Sequence, residues 1–75
     1  MNVLKRDGGV DLLELNNLIE ASDYPIKVIA RMSGMSRQTL HNKRSGKSPF
    51  TVKEILAISE VLKLSKKKRK QIFLI

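Results

Sequence analysis

Arg37, Gln38, His41 and Asn42 bring together side chains suited to flat, hydrogen-bonding ligands. Positions 37 and 41 lie one helical turn apart, as do 38 and 42, so a helix through them presents all four on one surface. A guanidinium matches the O6 and N7 acceptors of guanine, and a carboxamide matches N6 and N7 of adenine. Beside them stand Lys27, Ser36, Lys43, Arg44, Ser45, Lys47 and Ser48. These are cations and hydroxyls of the kind that meet phosphate oxygens. Other chemistries find little support. His41 is the single histidine, there is no cysteine, and no pair of carboxylates shares its helix face. No phosphate-cradling glycine loop and no nucleophile elbow is present. The expectation is a protein that is not an enzyme and needs no metal or cofactor.

Charge points the same way. The chain has 75 residues and a formal net charge of +8. Residues 1–24 carry two basic and five acidic side chains, whereas residues 25–75 carry 13 basic against two acidic. The basic region is interleaved with apolar residues at helical spacing, so it reads as a folded basic surface, the footprint of phosphate binding. The length suits one small domain, and 41% hydrophobic content is enough to fold it. No apolar run approaches the roughly 18 residues of a membrane span, and the N-terminus lacks a signal-peptide core. A cytoplasmic protein with no membrane partner is expected.

These side chains need short helices to hold them. Asp11 and Glu14 have capping-box spacing, and Leu12, Leu15, Leu18 and Ile19 follow at intervals of three and four, predicting a helix over 11–22. Pro25 suits the first turn of a second helix, 25–33, with Ile26, Ile29 and Ala30 inward. Gly34 stops it, Ser36 caps a third over 37–45, and Gly46 ends that one. Thr51 and Glu54 form another capping box before a helix at 52–62, with Val52, Ile55, Leu56, Ser59 and Leu62 as its apolar stripe. Ser65 starts a last helix, 66–74, with Ile72 and Phe73 inward. Lys66–Lys70 crowd its first turns, where the helix dipole disfavours cations, so it should fray or find an anionic neighbour. Residues 1–10 contain the turn signal Asp7-Gly8-Gly9 and fit either a loose arm or a small hairpin, and the loose arm is favoured because chain termini fray.

The segment IKVIARMSGMSRQTLHNKRSGK, residues 26–47, has the parts of a helix-turn-helix. That motif crosses two helices through a turn of three or four residues, often with glycine. Ala30 is the small residue where the helices touch, Gly34 supplies the turn, Leu40 locks the pair, and Met35 plugs the space after the turn. The predicted architecture is all-α: a compact bundle of about five short helices, with helices two and three forming the helix-turn-helix.

On Ala30, Gly34, Met35, Ser36, Leu40 and Gly46 the chain resembles the lambda-repressor-like (Cro/cI-type) helix-turn-helix family. The likeness is greatest to small Cro-like regulators of temperate phages of Gram-positive bacteria. Residues 45–65 and the ending QIFLI add to the resemblance, which covers roughly 11–75. It implies a five-helix domain that binds operator DNA, often as a symmetric dimer, within a phage lysis-lysogeny switch. Some such relatives instead bind the phage repressor and modulate it. The chain departs from the family pattern at Ile26, where a glutamine often stands. It departs again at Lys43 and Arg44, which share the Leu40 face where an apolar residue is usual.

Within that frame the third helix enters the major groove. Arg37, Gln38, His41 and Asn42 become base readers, and Lys27, Ser36, Lys43, Arg44, Ser45, Lys47 and Ser48 phosphate contacts. Lys43 and Arg44 can each run the stem across the core edge and leave the charge on a phosphate. The leading expectation is a sequence-specific, Cro-like transcription regulator, as a repressor acting on double-stranded operator DNA. Two copies on neighbouring half-sites would give it useful affinity, with the apolar tail Ile72–Ile75 serving as dimer patch or as the end of the core. The alternative is a modulator or antirepressor that docks the same face on a CI-type repressor. The two departures from the family pattern and the acidic first helix lend weight to that alternative without displacing the leading expectation. A membrane-surface role is the weakest, since residues 65–75 bunch their charges at one end.

Overall fold

The computed structural model describes residues 6–7 and 9–75. Within them are five helices: α1 (Leu12–Ala21), α2 (Ile26–Met32), α3 (Arg37–Arg44), α4 (Val52–Val61) and α5 (Lys66–Phe73). Two residue pairs, β1 (Arg6–Asp7) and β2 (Val10–Asp11), form a minimal antiparallel ribbon with Arg6 opposite Asp11. The described part of the N-terminal segment is therefore a hairpin, and Val10 is buried at its end. That pairing runs against the favoured loose arm at residues 6–7 and 10–11, while residues 1–5 and Gly8, which the same reading covers, lie outside the described residues.

Local chemistry sets the helix starts. The Asp11, Ser36, Thr51 and Ser65 side chains each accept a hydrogen bond from the backbone N–H three residues on. Each satisfies a donor that the first helical turn leaves without a partner. At Thr51 the box is reciprocal, since Glu54 accepts from the Thr51 N–H at 2.8 Å.

Three helix ends share one device. After α2, the Met35 N–H bonds the Ala30 carbonyl and the Gly34 N–H that of Arg31. Lys47 and Gly46 repeat this after α3, and Leu64 and Lys63 after α4. This is the Schellman arrangement, whose pivot adopts positive φ. Gly34 does so at +76°, with open space where a Cβ would sit, so backbone conformation alone demands glycine there. At the third site the pivot is Lys63, at +57°.

The core draws on every helix: Leu15, Ile29, Leu40, Ile58 and Ile72, one from each, are fully buried. Ala30, Met35, Ile19, Ile55 and Phe73 complete it with Val10. Phe50, in the loop before α4, meets Phe73 edge to face at 5.6 Å. The expected α4 stripe needs correcting. Val52 and Leu56 are exposed, and the buried residues are Ile55, Ile58 and Ser59. Two overlapping stripes satisfy the same periodicity, and packing of α4 on α2 selects the one through Ile58. The apolar tail also divides: Ile72 and Phe73 enter the core, whereas Leu74 and Ile75 are exposed.

Helix α1 packs on both α3 and α5. Its Glu20 accepts from Arg44 of α3 at 3.1 Å, and its Glu14 from Lys68 of α5 at 3.0 Å. The acidic first helix thus lies between two basic ones and supplies a carboxylate to each. Glu14 is the anionic neighbour that the crowded start of α5 calls for. Among the described residues no helix is long and apolar enough to cross a membrane.

Candidate nucleic-acid interface

Helix α3 spans eight residues. Its start is fixed by Ser36, whose hydroxyl accepts from the Thr39 N–H at 3.0 Å and donates to the Thr39 hydroxyl at 2.8 Å. Residues 33–36 join it to α2, and the two helices pack together. Its inner face is held by Leu40, which is completely buried. That placement turns the other side of the helix outward.

Arg37, Gln38 and His41 are exposed on that outer side, and Asn42 is half-buried. Among the described residues, Arg37 and His41 make no hydrogen bond or ion pair through their side chains. The Gln38 Nε2 donates to the Asn42 Oδ1 at 3.0 Å. This leaves the Gln38 carbonyl oxygen, its second amide hydrogen and the Asn42 amide group available. An acceptor beside a donor is the complement of the adenine edge in the major groove. The two carboxamides therefore form a coupled pair, with Asn42 orienting Gln38.

The seven residues expected at phosphates separate into three groups. Lys27, in the first turn of α2, and Lys47, after α3, are exposed with uncommitted cations among the described residues, and Ser48 is half-buried near Lys47 in sequence. Ser36 and Ser45 are exposed but already bonded, the latter donating to the Asn42 carbonyl at 3.2 Å.

Lys43 and Arg44 instead spend their charges inside the protein. The Lys43 Nζ donates to the Glu54 Oε1 at 2.5 Å and to the Pro49 carbonyl at 3.0 Å, and its side chain is only 11% exposed. Arg44 donates from Nε to the Asn16 Oδ1 at 2.6 Å and from Nη2 to Glu20 at 3.1 Å. Asn16 returns a bond from Nδ2 to the Arg44 carbonyl at 3.1 Å. Both side chains are largely shielded, and their charges end on protein acceptors. The geometry disfavours both as phosphate contacts.

Partial burial acts to raise the Glu54 carboxyl. The hydrogen bond from Lys43, the Thr51 N–H and the nearby ammonium charge outweigh it and hold the carboxyl below its ordinary value.

Asn16, Glu20 and Glu54 are thus part of the site's construction, and residue spacing does not reveal them. Their bonds to α3 span 28, 24 and 11 positions, so no local rule links them. The one available signal is the exceptional placement of two consecutive cations on the Leu40 side of the helix. Cations there need partners from neighbouring elements. The chain matches no protein-family model, no curated protein and no solved structure.

Proposed function

We propose that this chain is a sequence-specific DNA-binding transcription regulator of the helix-turn-helix type, with a lambda-repressor-like arrangement of its helices. Helix α3 is its reading helix. The supporting observation is the two-sidedness of α3. Leu40, Lys43 and Arg44 are bound to the protein, while Arg37, Gln38 and His41 are left outward. A helix serving only to pack would not need three planar or forked hydrogen-bonding groups along its free side.

In this reading α3 lies in the major groove with its N-terminal residues at the base edges. Arg37 takes guanine, Gln38 takes adenine with Asn42 behind it, and His41 reaches the next base step. Lys27 and Lys47 neutralise phosphates on either side. One chain makes few contacts, so two copies occupy half-sites about 34–36 Å apart. Leu74 and Ile75 are exposed apolar residues available for the contact between copies. The setting is a Cro-like repressor of a phage or prophage switch.

Selection from a random duplex library tests this. Enrichment of one sequence, with binding that weakens steeply as salt rises, is expected. Absence of any enriched sequence overturns it.

A second reading gains from the internal pairing of Lys43 and Arg44, which removes two charges from the DNA footprint. In it the α3 face docks on a CI-type repressor and blocks or modulates it. Co-purification with that repressor, together with no sequence preference for the chain alone, selects this reading.

A further inference from the structure

We propose that Asn16 and Glu54 are positioning residues of the reading helix. They act through Arg44 and Lys43 to hold the last turn of α3 between α1 and α4. The proposal rests on α3 being the helix that contacts bases.

The mechanical need follows from size. An eight-residue helix is about 12 Å long. Leu40 is its single fully buried side chain. One pivot leaves a short rod able to rock, and a tilt of roughly 10–20° already exceeds what a bidentate contact tolerates. The start of α3 is tethered through the connection to α2. Its end needs a separate restraint.

Two consecutive residues provide it in divergent directions. Lys43 reaches α4 and the loop before it, and Arg44 reaches α1. Successive side chains on a helix diverge by about 100°, so the two ties resist rocking towards either side.

Each partner does more than neutralise charge. Asn16 accepts from the Arg44 side chain and donates to the Arg44 carbonyl, which fixes the main chain of α3 as well as the guanidinium. Glu54 uses one oxygen for both the Thr51 N–H and the Lys43 ammonium, so the start of α4 and the end of α3 are referenced to one atom. Neither Asn16 nor Glu54 needs to touch DNA in this role. Arg44, already opposite Glu20, releases no counterion when DNA binds.

The test measures affinity for the selected duplex and for a scrambled one, across a salt series, with the full chain. Asn16→Ala and Arg44→Lys should each lower the ratio of the two affinities about tenfold. Their salt dependence should stay that of the parent chain. Asn16→Asp retains the acceptor for the Arg44 Nε and should recover part of the ratio. Arg44→Gln separates the two roles of this arginine. As a positioning residue it lowers the ratio at constant salt slope. As a phosphate contact it would leave the ratio intact and reduce the slope by about 0.9, which overturns the proposal.

Thermal melts keep the comparison among folded variants, and if Asn16→Ala does not fold, Arg44→Lys carries the test. A parent chain with no duplex preference removes the reading of α3 and this proposal with it. A parent chain with a clear preference, and folded variants that share its ratio, removes this proposal alone.

Discussion

The Lys43 Nζ lies 2.5 Å from the Glu54 Oε1, joining the end of α3 to the start of α4 across 11 residues of chain. The same oxygen accepts from the Thr51 N–H, so a helix cap and an interhelical ion pair depend on one carboxylate. Both side chains are shielded, at 11% and 19% exposure, which sets this pair apart from an open surface ion pair of little energetic value.

Glu54→Ala should therefore destabilise the fold by about 2 kcal/mol, combining the loss of the cap's return bond with that of the charged hydrogen bond. Chemical denaturation of parent and variant measures this. A difference within experimental error would show that the pair contributes nothing net.

The same carboxyl gives a pH signature. Its ionisation lies below the ordinary value in the folded chain, so folding favours the charged form. The associated stability is present above the unfolded glutamate value of about 4.3 and is lost as pH falls through the lower folded value. Denaturation midpoints recorded from pH 6 down to pH 2 should fall more steeply for the parent than for Glu54→Gln. Parallel profiles would contradict the assignment.

On the outer face, Arg37→Ala should reduce discrimination at one base pair by about 1–3 kcal/mol while leaving the melting temperature unchanged. Arg37 is exposed and has no partner to lose among the described residues. Competition assays with single-base variants of the selected duplex would locate that pair. Unchanged affinity and unchanged preference would remove Arg37 from the interface.

Lys63 occupies the pivot of a Schellman end at φ +57°, where α2 and α3 use glycine. A side chain in that region costs about 1 kcal/mol relative to glycine. Lys63→Gly should raise stability by about that amount, visible as a higher melting temperature. A lower one would mean that the lysine stem contributes more than the backbone loses.

Ser59 is buried in α4, and its hydroxyl has no hydrogen-bond partner among the described residues. Removing an unsatisfied polar group relieves its desolvation, so Ser59→Ala should stabilise by about 1 kcal/mol. A loss of stability on denaturation would point to a water bonded to that hydroxyl.

The sequence alone determined where four of the helices begin and where α2 and α3 end, because those decisions are local. Asp11, Ser36, Thr51 and Ser65 each satisfy a donor three residues away, and Gly34 and Gly46 relieve a conformation confined to one residue. The outward position of Arg37, Gln38 and His41 was legible for the same reason, following from one helix phased by Leu40. Tertiary structure decided the choice between two equivalent stripes on α4, which turned on what α2 presents to it. It also decided the fate of Lys43, Arg44 and Lys68, whose carboxylate or amide partners stand 11, 28 and 54 residues away. A cation's type and spacing show that it can pair, but whether it meets a phosphate or a carboxylate depends on what folding brings within about 3 Å, and chain-distant groups carry no periodic signal of that approach.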